Sequence, residues 1–96
     1  MKDLGAYLRE LRLRKRKSLK QAAPELKLSA SYLSKIENGK LVPPTETAEK
    51  LAQYYGVDPE SMNAMAGRLP DDVVMILQGN PDKAIRLLRE KFGGRR

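Results

Sequence analysis

Ala30, Ser31, Ser34 and Lys35 are the residues whose types and spacing suit contact with the edge of a base pair. Ser29 before them is a strong helix N-cap, Leu33 and Ile36 recur three apart among them, and Asn38-Gly39 marks a helix end. Only one face of this short helix is apolar. The other carries Ala30, Ser31, Ser34 and Lys35, which are short side chains that let a backbone lie close to a base edge, plus one long cation. A helix with such a face can enter the roughly 12 Å major groove of a duplex.

The elements that must position this helix lie on both sides of it. Leu4, Leu8 and Leu11, with Tyr7 beside them, recur at helical spacing and predict an amphipathic first helix over Leu4 to Arg14. Ser18 is the expected N-cap of a second helix running to Leu26, with Leu19, Ala22, Ala23 and Leu26 as its inner stripe. The two alanines allow the next helix to cross close behind, after a break at Lys27 to Ser29. Pro24 falls at about the sixth helical residue, where it removes the hydrogen bond to the Lys20 carbonyl and clashes with it, so a bent or shortened helix is expected. Beyond the soft connection at 39 to 44, Ala48, Leu51, Ala52 and Tyr55 define a fourth helix stopped by Gly56. Asp58-Pro59, an N-cap followed by proline at the first helical position, opens a fifth that ends at Gly67. Val57, Met62 and Met65 are expected to fill gaps in the core.

The segment SYLSKIENGK at 31 to 40, preceded by an alanine-containing helix and followed by a proline, is similar to the core of the phage-repressor-like helix-turn-helix family, often called the XRE family. The resemblance spans about two thirds of the chain. It takes Leu4 to Arg14 as the first helix, Ser18 to Leu26 as the second and Ser29 to Asn38 as the recognition helix. Thr45 to Tyr55 and Asp58 to Ala66 are the fourth and fifth. It implies an all-α, five-helix domain over residues 1–67 that binds double-stranded DNA. Helix geometry and the matching family positions together put Ala30 and Ser31 on base edges, Ala30 against a thymine methyl, and Lys35 on guanine O6/N7. Ser18, Lys20, Tyr32, Asn38 and Lys40 are expected at phosphates, Ser18 through the backbone N–H groups that follow it. The resemblance also implies an ion pair between Arg12 and Glu37 that bridges the first helix to the end of the recognition helix. The chain departs from the family pattern at Pro24, at Arg16 and Lys27 in place of glycine, and at Lys17 in place of leucine. A side chain forced into the left-handed region costs about 1 kcal/mol relative to glycine.

Composition points the same way. The net charge of +7 favours a polyanionic partner. Residues 1–17 carry seven cations and two anions, residues 18–41 four and two, residues 42–67 one and four, and residues 68–96 seven and four. Positive charge therefore gathers around the motif and in the tail. Cysteine and histidine are both missing from the sequence, which removes disulfides, zinc fingers and Cys or His nucleophiles. No enzymatic activity, cofactor or metal is expected, and Glu46, Glu49, Asp58, Asp71 and Asp72 read as helix starts and solvated faces. No apolar run approaches the roughly 20 residues of a membrane span, and the amino terminus lacks a signal-peptide stretch, so a cytoplasmic location is expected.

Residues 68–96 form a second unit, a helical extension. Pro70-Asp71-Asp72 opens a segment, Val73 to Gln78, that is apolar nearly all round and stopped by Gly79. Asn80-Pro81-Asp82 opens another helix with Ala84, Ile85, Leu88 and Phe92 on one stripe and Lys83, Arg86, Arg89 and Glu90 mostly opposite. Such a surface must bury against its own domain, a second copy or another protein. A homodimer joined through Val73, Val74, Ile76, Leu77, Ile85, Leu88 and Phe92 is the leading expectation, with Arg95-Arg96 free. The corresponding function is a sequence-specific transcriptional regulator, a repressor whose dimer sets two recognition helices about 34 Å apart on a palindromic operator. The alternatives are an antitoxin-type autorepressor that also holds a partner protein, and a protein-interaction module without specific DNA binding.

Overall fold

The computed structural model describes residues 3–93, whose regular elements are all α-helices: α1 (Leu4–Arg14), α2 (Leu19–Glu25), α3 (Ala30–Glu37), α4 (Thr45–Tyr55), α5 (Pro59–Met65), α6 (Asp71–Gly79) and α7 (Pro81–Phe92). The all-α class and the order of five helices followed by two agree with the sequence reading. Arg95 and Arg96 lie outside the described residues.

Side-chain caps set most of the helix starts. Asp3 accepts from the Ala6 N–H at 2.8 Å, Ser29 from Tyr32 at 3.0 Å and Asp58 from Glu60 at 3.0 Å. Ser18 and Gln21 form a reciprocal capping box at the start of α2. Five helices close with the same backbone turn, in which the residue after a left-handed position donates to the carbonyl five residues back. The donors are Lys17 to Arg12, Leu28 to Ala23, Lys40 to Lys35, Val57 to Ala52 and Arg68 to Asn63. The residue just before each donor has positive φ: Arg16 at 60°, Lys27 at 59°, Gly39 at 75°, Gly56 at 70° and Gly67 at 87°. Arg16 and Lys27 thus occupy the left-handed turns that glycine fills without strain.

Pro24 lies inside α2, which is only seven residues long and ends one residue later. The helix end is supported from outside, because Lys50 of α4 donates from Nζ to the Leu26 carbonyl at 2.9 Å and places its charge at the negative end of the helix dipole.

The core gathers Leu8 and Leu11 of α1, Ala22, Ala23 and Leu26 of α2, Leu33 and Ile36 of α3, Ala48, Leu51 and Ala52 of α4, and Met62 of α5. Val57 packs half-buried against it, whereas Met65 is 39% exposed at the end of α5 and does not fill the core as expected. Gly5 has its own role. A Cβ on it would stand 2.5 Å from the Glu37 carbonyl oxygen and 2.8 Å from that of Ile36, so α1 meets the end of α3 at backbone contact.

The tail helices open where the sequence reading puts them, α6 at Pro70-Asp71-Asp72 and α7 at Asn80-Pro81. One detail differs: α6 includes Gly79 as its last residue, since a glycine with an ordinary φ can close a helix. Asn80 gives α7 no side-chain cap. Its Nδ2 donates back to the Ile76 carbonyl at 3.1 Å and finishes α6 instead, while Pro81 starts α7 without an N–H to satisfy. α6 and α7 pack on each other, yet neither has a buried residue. Arg68 is tied to the five-helix unit through Nη2 to the Pro43 carbonyl at 2.7 Å and Nε to Asn63 Oδ1 at 2.9 Å. Among the described residues no helix is long and apolar enough to cross a membrane.

Candidate nucleic-acid interface

Successive residues of α3 turn by about 100°, so Leu33, Ile36 and Glu37 share one face and are buried there. The opposite stripe holds Ser31, Lys35 and Asn38, all exposed, with Ser34 half-exposed beside them and accepting from Asn38 Nδ2 at 3.2 Å. Ala30 is placed differently from the sequence reading. Three residues before Leu33, it sits on the edge of the buried face, half-buried against the core. Tyr32 flanks the stripe on the other side and also packs half-buried. The fully presented surface of α3 is therefore Ser31, Lys35 and Asn38, with Ala30 and Tyr32 at its borders.

One side chain fixes how this helix is held. Arg12 donates from Nε to Glu37 Oε2 at 2.8 Å and from Nη2 to Oε1 at 3.0 Å, with the side chains only 9% and 4% exposed. Its Nη1 donates to the Lys17 carbonyl at 2.9 Å. Lys17 immediately precedes Ser18, the N-cap of α2, and Glu37 immediately precedes Asn38, so Arg12 links the start of α2 to the end of α3. The Glu37 bonds raise the Arg12 pKa despite burial. Tyr55 of α4 lies beside this pair, and burial followed by the Glu37 charge pushes its hydroxyl ionisation upward.

Ser18, Lys20, Asn38 and Lys40 are all exposed. Lys20 is in the first turn of α2, whose capping box uses the N–H groups of Ser18 and Gln21, and Lys40 follows the turn at Gly39.

The basic run Arg14 to Lys17 holds contacts that sequence reasoning missed. Lys17 Nζ pairs with Glu25 Oε2 at 3.1 Å, the other Glu25 oxygen accepts from the Tyr54 hydroxyl, and Lys15 Nζ lies 4.8 Å from the centre of the Tyr54 ring. Arg14 pairs with Glu10 one turn back at 3.1 Å. The Tyr54 bond and then the Lys17 bond hold the Glu25 carboxyl below its usual range. Burial and the Glu25 bond push Tyr54 up to about 12. No spacing in the sequence announces the Glu25–Tyr54 contact, which joins residues 29 apart.

Comparison with known proteins places this geometry in a family. Residues 3–65 match the helix-turn-helix domain. Over 57 residues the chain is 37% identical to the ImmF control region 10 kDa protein of Bacillus phage phi105, covering 59% of this chain and 63% of the phage protein. Over 104 aligned positions it is 31% identical to the HTH-type transcriptional regulator DdrOP3 of Deinococcus deserti, covering 93% of this chain and 81% of that protein. The crystal structure of the clp gene regulator ClgR from Corynebacterium glutamicum superposes with a TM-score of 0.57 at 26% identity, over 94% of this chain and 90% of that one. The chain thus spans less than two thirds of the phage relative and most of the other two.

Proposed function

We propose, from the premise that this chain belongs to the helix-turn-helix domain family, that it is a DNA-binding transcriptional regulator of the phage-repressor-like (XRE) kind. The observation that carries the reading is the exposed stripe Ser31, Lys35 and Asn38 on α3, opposite a face locked to α1 through Glu37 and Arg12. The names of DdrOP3 and ClgR, both regulators, support it.

In this reading Ser31 and Lys35 touch base edges, with Lys35 on guanine, and Ala30 reaches the groove only from the border of the stripe. Ser18 and Lys20 at the start of α2, with Tyr32, Asn38 and Lys40 around α3, contact phosphates. The protein represses by occupying promoter DNA as a dimer on a palindromic site. The exposure of Val73, Met75, Ile76, Ile85, Leu87, Leu88 and Phe92 supports dimerisation through α6 and α7, because one copy leaves these side chains in water. The same surface supports a second reading, in which a partner protein docks there and the chain is an antitoxin-type autorepressor.

The testing experiment is duplex binding across a salt series. Affinity that falls steeply and linearly in log–log form, with one preferred sequence, supports the reading. Absence of any duplex binding at 50 mM salt sinks it.

A further inference from the structure

Building on the DNA-binding reading above, we infer that Lys17 is a latent phosphate contact, held away from the duplex by Glu25. Lys17 stands directly before the α2 N-cap, and its carbonyl is fixed by Arg12, so its backbone is anchored between the start of α2 and the end of α3. Its ammonium reaches Glu25 in the last turn of α2 at 3.1 Å. The two side chains are 31% and 45% exposed, so solvent and anions reach both.

The two halves of this contact are not equally mobile. Glu25 presents one oxygen to Lys17 and the other to the hydroxyl of Tyr54 on α4, which clamps the carboxylate from a second helix. The Lys17 side chain bonds Glu25 through its ammonium alone, at the end of a flexible four-carbon stem, while its backbone stays anchored. An exposed ion pair of this kind is weak and salt-sensitive. A phosphate near Ser18 offers the ammonium the same charge-assisted bond, and Glu25 competes with it for the one cation. The device lowers the number of phosphates the chain neutralises and so trims sequence-independent affinity.

The test uses the full chain and a labelled mixed-sequence duplex of about 20 base pairs, titrated by fluorescence anisotropy between 50 and 200 mM salt. Four proteins are compared: wild type, Glu25→Gln, Lys17→Gln and the double variant. Glutamine keeps an acceptor for Tyr54, and circular dichroism checks that the helices remain. Glu25→Gln is expected to steepen the slope of log K against log salt by about 0.9, the signature of one more neutralised phosphate. It should bind several-fold tighter at the low-salt end. The double variant is expected to return to the slope of Lys17→Gln alone. An unchanged slope in Glu25→Gln overturns the inference while leaving DNA binding intact, as does a gain that persists in the double variant. A wild type that binds no duplex overturns the regulator reading and this inference with it.

Discussion

The Arg12 guanidinium grips Glu37 with two parallel bonds at 2.8 and 3.0 Å and turns its third nitrogen to the Lys17 carbonyl at 2.9 Å, so one side chain of α1 fixes the end of α3 and the start of α2 together. Both residues are buried, Arg12 at 7% and Glu37 at 9% exposure, and removing either charge strands the other in the protein. Glu37→Gln is expected to cost about 3 to 5 kcal/mol in urea unfolding. Arg12→Lys is expected to lose most of the same stability, because an ammonium cannot make the planar two-bond fork or reach Lys17 as well. A loss below about 1 kcal/mol for Glu37→Gln would mean that the pair behaves as a solvated one.

Gly5 predicts a second weak point at the same junction. With the Cβ of an alanine only 2.5 Å from the Glu37 carbonyl, α1 and α3 must separate. Gly5→Ala is expected to destabilise by about 1 to 3 kcal/mol, the usual range for overpacking, and to lower DNA affinity through the displaced end of α3. A melting temperature equal to the wild type would show that the junction has slack.

The turns after α1 and α2 are open to improvement. Arg16 and Lys27 hold φ values of 60° and 59°, where glycine carries no steric penalty. Each of Arg16→Gly and Lys27→Gly is expected to stabilise by about 1 kcal/mol. No gain in either denaturation midpoint would indicate that their side chains earn compensating contacts.

What the sequence disclosed, and what it concealed, follows from the range of the interactions. Helix starts and stops depend on residues within one turn, so Ser18, Ser29, Asp58 and Gly56 marked boundaries that the structure places within a residue or two. Leu8, Leu33, Ile36 and Leu51 were legible as core because helical period alone puts them on inner faces. Ala30 was legible only in part, since its small side chain suits a groove as well as a core edge, and the structure sets it half-buried at the border of the α3 stripe. Contacts between distant residues left no local trace: Glu25 with Tyr54, Lys50 on the Leu26 carbonyl, and the backbone approach at Gly5 all depend on how helices cross. The Asn80 side chain faced two helices at once, and its bond to Ile76 was not decidable from spacing.

Tyr54 gives the fold a dependence on alkaline pH. Its hydroxyl ionises near 12 in the folded chain, against 10.0 for a free tyrosine, because burial and the Glu25 bond favour the neutral form. With the folded pKa raised, this contribution to stability is fully present below about pH 10 and is lost as pH rises through about 12. Tyrosinate absorbance should show a late-titrating component that Tyr54→Phe reduces. An identical titration curve in that variant would remove Tyr54 from the account.

The tail should separate from the rest by truncation. Since Arg68 bonds to Pro43 and Asn63, the cut belongs after Leu69. Residues 1–69 are expected to stay helical and to sediment as a monomer with weaker operator binding, having lost the exposed apolar side chains of α6 and α7. A dimer of unchanged operator affinity would place the two-fold contact elsewhere.

Selection of bound duplexes from a random-sequence library, run in parallel with wild type and Lys35→Ala, tests base reading by α3 most directly. The wild type is expected to enrich a two-fold symmetric sequence with half-sites one helical turn apart. Lys35→Ala is expected to lose the preference for guanine at one position of each half-site, at about 1 to 3 kcal/mol, while keeping its sequence-independent binding. No enriched sequence for the wild type at low salt, or the same motif from both proteins, would contradict the assignment of the exposed α3 stripe as the surface that reads DNA.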